Sequence, residues 1–109
     1  MRLGKLENIV FEDTETTFAQ VQERIAKTIA LLEKVPREAL EGKEDVEVNV
    51  GAGPRTYVFT GTSYVTDYIV PNFFFHLVIT YALLRKEGVP IGKGSYLGRI
   101  ESREARLGD

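Results

Sequence analysis

The chain has 109 residues, of which 43% are hydrophobic and 28% are charged, a composition typical of one soluble globular domain. Fourteen basic and sixteen acidic residues give a net charge of -2. The chain therefore lacks the basic excess that would predict binding to nucleic acid or to an anionic membrane. The lack of cysteine excludes disulfides and zinc–thiolate sites, and the single histidine excludes a metal centre built from several imidazoles of one chain.

Polar and charged residues follow Met1, which is not the pattern of a signal peptide. We therefore expect a cytoplasmic protein.

The first predicted element is an amphipathic helix from Thr14 to about Val35. Its apolar residues recur at steps of three and four, which is the period of one helical stripe. Asp13 or Thr14 can cap the first free N–H groups, and Pro36 ends the helix. The stripe consists of Phe18, Val21, Ile25, Ile29 and Leu32.

Residues 44–61 change to the alternating period of β-strands. Val46, Val48 and Val50 alternate with polar residues, and Tyr57 and Phe59 alternate again after a Gly-Ala-Gly-Pro turn. This pattern predicts a short β-hairpin. Since an isolated hairpin is marginal in water, we expect it to pack against the helices.

A second helical region follows Gly61, with Thr62 or Ser63 as its predicted cap. Pro71 is predicted to open a new helix or to kink a continuous one, and the helical pattern then extends to Glu87. Apolar residues cover nearly every side of this part, which favours a buried central helix over a membrane span. The glycine-rich residues 89–98 are predicted to form an exit loop.

A polar stripe interrupts this apolar helix. Asn72, His76 and Thr80 are spaced i, i+4 and i+8, which places them on one side. One interpretation is that they line a ligand or metal pocket inside a bundle. The other is that His76 is a buried, neutral, hydrogen-bonded residue that fixes the register of the helix.

Several blocks of the sequence resemble a known family. They are Phe11-Glu12-Asp13, Pro71-Asn72-Phe73-Phe74-Phe75-His76, Tyr81-Ala82-Leu83-Leu84-Arg85 and Gly88-Val89-Pro90-Ile91-Gly92-Lys93. The chain resembles, from about Leu3 to Gly98, the domain-of-unknown-function family nineteen ninety-three of the DinB-like and YfiT-like superfamily. The resemblance implies a mainly α fold, a DinB-like four-helix bundle with a small β-hairpin inserted between helices.

The resemblance also implies a domain organisation. Family members usually begin with two further helices, so residues 1–98 are expected to form a single helical domain that lacks them, followed by a polar tail at 99–109. Metal-binding members of the superfamily carry a His-x3-His pair, and here the corresponding positions hold Asn72 and His76. Only one residue of that pair is a histidine.

Two functions therefore remain open. The first is a non-catalytic or small-ligand-binding domain with Asn72, His76 and Thr80 as the candidate pocket. The alternative is a DinB-like metal-dependent transferase or hydrolase with His76 as one ligand. The sequence assigns no catalytic residue, no resident metal and no cofactor.

The predicted partners follow from how much apolar surface the central helix must bury. One amphipathic helix and one thin hairpin cannot surround a helix that is apolar on every side. We therefore expect a homodimer that rebuilds four helices, with no nucleic-acid partner, no membrane partner and a small-molecule ligand of unknown identity.

Overall fold

The computed structural model describes residues 9–99, and these are mostly helical with one antiparallel hairpin. The elements in chain order are α1 (Phe18–Glu33), a 3-10 turn (Arg37–Ala39), β1 (Val48–Ala52), β2 (Arg55–Phe59), α2 (Gly61–Ser63), a π-helical segment (Tyr64–Ile69), α3 (Val70–Lys86) and α4 (Lys93–Leu97). The chain divides into two compact units, Met1–Tyr68 and Ile69–Asp109. Of the predicted tail at 99–109, residues 100–109 lie outside the described part.

Helix α1 begins later than its sequence pattern predicts. Its cap is Thr17, not Asp13 or Thr14. The Thr17 hydroxyl accepts a hydrogen bond from the Gln20 backbone N–H at 3.3 Å, and the Gln20 side-chain oxygen accepts one from the Thr17 N–H at 3.1 Å. This reciprocal capping box satisfies two free N–H donors at once. A cap at Thr14 could not form such a box, because the residue three positions later is not Glu or Gln.

A cluster of charged side chains centred on Arg24 holds the residues before α1 against that helix. The Arg24 guanidinium donates to Glu15 at 2.7 Å, to Asp13 at 2.8 Å and to the backbone carbonyl of Glu12 at 3.2 Å. It also lies 5.8 Å from the centre of the Phe11 ring, a cation–π distance. Asp13 and Glu15 therefore bind a side chain of α1, and Asp13 does not act as the predicted cap of that helix.

The hydrogen bond from Arg24 holds the pKa of the Glu15 carboxyl below its ordinary value of 4.5, and a backbone hydrogen bond acts in the same direction. The hydrogen bonds that Arg24 donates to Glu15 and, to a lesser degree, to Asp13 raise the pKa of Arg24. A second ion pair, Lys27 with Glu23 at 2.8 Å, lies one turn further along and lowers the pKa of Glu23. All four side chains still reach solvent, so each pair stabilises the fold only modestly.

The predicted hairpin is present, and it carries the core. Val48 pairs with Phe59 and Val50 with Tyr57, so these four side chains share one face. Gly53 has φ +58°, and Pro54 cannot take a positive φ, which together fit a type II′ turn. Val48 and Val50 are buried, at 4% and 2% exposure.

Two tyrosines of the helical segment that follows cover this face of the hairpin. The rings of Tyr64 and Tyr68 stack at 5.7 Å, and both lie within 6 Å of the Phe59 ring. Thr60 caps this segment through a box with Ser63, in place of the predicted Thr62 or Ser63 cap. Thr62 donates its N–H to the Glu44 carbonyl at 2.9 Å, which anchors the chain just before the hairpin. The expectation that the hairpin packs on helix is thus confirmed.

The predicted change of helical structure at Pro71 is also confirmed. The hydrogen-bond pattern is π-helical over Tyr64–Ile69, directly before α3, which has Pro71 in its first turn. Proline offers no N–H to the preceding turn, so the regular α pattern cannot run through it. The Thr66 hydroxyl donates a hydrogen bond to the Thr62 carbonyl at 3.2 Å, and it thereby competes with backbone N–H groups for that acceptor.

Helix α3 differs most from expectation. Its composition predicts a buried central helix, but no α3 residue is buried in the described chain. The continuous helical run Gly61–Lys86 has 26 residues and a mean hydropathy of 1.3 in its most apolar window, which is long and apolar enough to cross a membrane by those criteria alone. The composition of α3 indicates how much of its surface must be buried, and the described residues do not cover that much of it.

Residues 89–98 are not wholly a loop. Lys93–Leu97 form the short helix α4, with Gly92 before it and Gly98 after it at φ +66°. The Ser95 hydroxyl accepts from the Gly92 N–H at 3.4 Å, and the Tyr96 ring meets the Tyr81 ring of α3 edge to face at 5.8 Å. This aromatic contact stabilises a short helix that its internal Gly94 would otherwise disfavour.

The hairpin core predicts a contrast between two valines. Val50→Ala removes two buried methyl groups and should lower the free energy of unfolding by about 2 kcal/mol. Val58→Ala is the matched control, because Val58 lies on the opposite face of the hairpin at 62% exposure, and it should cost below about 0.5 kcal/mol. Urea unfolding followed by circular dichroism measures both. Equal losses would mean that Val50 does not belong to the stabilising core.

The Arg24 cluster predicts a specific pH dependence. Because the pKa of Glu15 is lower in the folded than in the unfolded chain, its contribution is present above pH 4.5 and is lost as the pH falls through the folded value. Glu15→Gln should therefore flatten the fall in stability below pH 4.5. Glu33→Gln is the control, since Glu33 has no ion-pair partner within residues 9–99. Unfolding free energies measured from pH 3 to 7 that fall alike in wild type and Glu15→Gln would contradict this assignment.

Candidate functional site

The predicted polar stripe lies on α3, and all three of its side chains are exposed. Asn72, His76 and Thr80 succeed one another at one-turn intervals, so they extend about 12 Å along the helix at 1.5 Å per residue. The structure thus places them on one face. It does not bury His76, so the interpretation of this residue as a buried structural histidine is not met within residues 9–99.

The hydrogen-bonding capacity of the stripe is only partly used. The Thr80 hydroxyl donates to the His76 backbone carbonyl at 2.7 Å, which leaves its oxygen free only to accept. The His76 ring lies 5.3 Å from the Phe75 ring in an edge-to-face arrangement. The imidazole nitrogens of an exposed ring of this kind can either donate or accept, depending on the tautomer.

The surroundings of the stripe are apolar. Phe73 and Ile79 lie about 60° to either side of His76 on a helical wheel, and Leu83 continues the same face one turn beyond Thr80. These side chains are between 42% and 60% exposed. A few polar groups within apolar and aromatic surface are typical of small-molecule sites, although such sites are usually concave.

The described residues do not fit a metal centre. No group of three His, Cys, Asp or Glu side chains within residues 9–99 is arranged to hold an ion. The stripe itself offers one imidazole and one amide oxygen, and an amide is a weak ligand for the metals that imidazole prefers.

A second candidate site, which the sequence did not predict, lies between α3 and α4. It is an open cleft of about 390 Å³ lined by Val78, Tyr81, Lys93, Tyr96 and Leu97. Arg85 donates to the Tyr81 hydroxyl at 2.9 Å, so the cleft has apolar walls and cationic groups nearby. Sequence reasoning missed it because its second wall is α4, in a segment predicted to be a loop.

A third cleft, of about 440 Å³, borders the Arg24 cluster. Its charged walls are already paired with one another, Arg24 with Glu15 and Lys27 with Glu23. We assign it a structural role, because a ligand there would have to compete with these ion pairs.

Comparison with solved structures finds a DinB family member protein from Shewanella denitrificans that is 30% identical to this chain. The match has a TM-score of 0.81 and covers 95% of this chain but 59% of the other, so the chain spans a little over half the length of that protein. No curated protein matches the chain.

A model of the family described as "Domain of unknown function (DUF1993)" matches residues 1–97, nearly the whole described fold. The blocks that carry the sequence resemblance and the hairpin between helices all fall inside the match. The chain belongs to the DUF1993 family and has a DinB-like fold.

Proposed function

We propose that this protein is a non-catalytic, DinB-like helical-bundle domain that binds a small molecule along the stripe of Asn72, His76 and Thr80. The observation that supports this best is the stripe itself, which is three uncharged polar side chains on an otherwise apolar, exposed helix face. In a completed four-helix bundle such a face lies towards the interior, where ligand sites of bundles are built.

The chemistry of the stripe limits the class of ligand. Asn72 can donate and accept, His76 can do either, and Thr80 can only accept because its proton is already donated. None of the three carries a fixed charge, which disfavours a strongly ionic ligand. A small neutral molecule with an apolar ring and an amide-like group would match both the polar groups and the neighbouring Phe73.

The alternative, a metal-dependent transferase or hydrolase with His76 as one ligand, has less support. It rests on the spacing of Asn72 and His76, which matches that of a His-x3-His pair. The donor set within residues 9–99 is too small for it, as the single imidazole would need at least two further ligands from elsewhere.

Insertion of the long helical run in a membrane would also bury its apolar surface, but the residues of the run disfavour it. Asp67 lies near the start of Gly61–Lys86, and the uncharged stretch after it, residues 68–84, has 17 residues, just short of the roughly 18 or more that a span requires. The stripe on α3 adds further polar groups. We therefore propose that protein, and not lipid, covers this surface.

Ligand binding along the stripe can be tested with benzamide, a neutral aromatic amide. In two-dimensional NMR of the labelled chain, benzamide should shift the backbone signals of residues 72–83 in a saturable way. His76→Leu removes hydrogen-bonding capacity and should weaken binding about tenfold. Gln22→Leu, an equivalent change on α1, is the control and should leave binding unaltered. Equal affinities in all three proteins would contradict a site on the stripe.

The metal alternative is tested separately, on protein purified without a histidine tag. Calorimetric titration with Zn²⁺ and with Mn²⁺ should show no site tighter than about 10 μM that depends on His76. A stoichiometric site that His76→Gln abolishes and Gln22→Leu preserves would overturn the binding-module proposal in favour of the enzyme.

A further inference from the structure

The cleft between α3 and α4 lies within one compact unit, Ile69–Asp109, and it is separate from the polar stripe. Val78 and Tyr81 form its α3 wall, and they lie about 160° and 140° from His76 on a helical wheel. The cleft is therefore on the opposite side of α3 from Asn72 and Thr80. Ligand binding along the stripe makes no use of it.

The walls of this α3–α4 cleft are apolar and partly ordered by an aromatic contact. The Tyr81 and Tyr96 rings meet edge to face at 5.8 Å, and both residues are half-buried. Val78 and Leu97 are 47% and 49% exposed, so each has apolar surface left for a ligand to cover. The cleft has a volume of about 390 Å³, and sites for small molecules combine such walls with a few polar groups.

The polar groups of the cleft are suited to donate hydrogen bonds. Lys93 lines the cleft, and its ammonium group can only donate. The Tyr81 hydroxyl accepts from the Arg85 guanidinium at 2.9 Å, which leaves its own O–H free to donate. Among residues 9–99, no Asp or Glu lines the cleft, and neither Lys93 nor Arg85 forms an ion pair. The matching ligand group is therefore an anionic acceptor.

The charge of the surrounding segment has the same sign. Residues 69–99 contain four basic residues and a single acid, Glu87, whereas the whole chain has a net charge of -2. Glu87 is paired with Lys86 at 3.1 Å, so it does not neutralise the cations of the cleft. An anion approaching the cleft is thus attracted by a locally positive segment of an otherwise acidic chain.

We propose that the α3–α4 cleft binds a small apolar monocarboxylate, with the carboxylate at Lys93 and Tyr81. The apolar body of the ligand then lies against Val78, Tyr96 and Leu97. Hydrogen bonds between an ammonium and a carboxylate are stronger than those between neutral groups, so a neutral ligand would gain less from Lys93. A dianion would have to place its second charge against apolar walls, which is unfavourable.

The proposal is tested with 4-phenylbutyrate and its amide, 4-phenylbutyramide, which differ in charge but hardly in size. In two-dimensional NMR of the labelled full chain, 4-phenylbutyrate should shift the backbone signals of residues 93–97 in a saturable way, with a dissociation constant of about 1 mM or below. At the same signals the amide should bind at least about fivefold more weakly, because it lacks the charge that Lys93 recognises. The signals of Asn72 and Thr80 should not move with 4-phenylbutyrate.

Variants of two lysines in the same unit identify the cation. Lys93→Gln should weaken 4-phenylbutyrate binding about tenfold, whereas Lys93→Arg keeps the charge and should stay within about threefold of wild type. Lys86→Gln is the matched control, since Lys86 does not line the cleft and pairs with Glu87, and it should leave the affinity unaltered. Circular dichroism checks that each variant keeps the helical content of wild type.

The comparison of acid and amide on wild type needs no variant, so it holds even if a substitution disturbs α4. No saturable shift at residues 93–97, or equal affinity for the acid and the amide, would overturn the proposal. Equal losses in Lys93→Gln and Lys86→Gln would do the same, because they would reduce the effect to overall charge.

Discussion

One constraint governs the rest of the structure. A helix that is apolar on nearly every side, such as α3, must be surrounded by other protein. Most of the large apolar residues of α3 are more than a third exposed, and the apolar stripe of α1 is exposed as well. Against these stand only three buried hydrophobic residues among those described, Val48, Val50 and Tyr64. The hairpin therefore carries the core that the described residues complete by themselves, whereas the apolar surface of the two helices is left uncovered by those residues.

This division explains why the two kinds of polar group have different roles. Arg24, Glu15 and Asp13 satisfy one another and hold the residues before α1 in place, so they belong to the folded chain. Asn72 and His76 instead lie on a surface that the described residues leave exposed. Any group that covers this surface strengthens the hydrogen bonds of these side chains, because burial excludes water.

The sequence predicted those features that arise from local pattern. The alternation at Val48, Val50, Tyr57 and Phe59 located the hairpin, and Pro71 located the change in the helix. The cap of α1 could not be predicted in the same way, because Thr14 and Thr17 are chemically equivalent and the choice depends on Gln20 and on the competing attraction of Arg24. Helix α4 was missed because its stability comes from the contact between Tyr96 and Tyr81, which is tertiary. The stripe on α3 was predicted as a face, but composition could not tell whether that face is covered.

The type II′ turn at Gly53-Pro54 has a consequence for the order in which the molecule assembles. It joins strands whose paired residues are at most eleven positions apart, and the aromatic residues that cover them end at Tyr68. Contacts of such short sequence separation form quickly, since little loop entropy is lost. The hairpin and its tyrosines can thus fold at a rate independent of protein concentration. The apolar surface of α1 and α3 takes no part in these contacts, so it is still exposed once the hairpin and its tyrosines have folded.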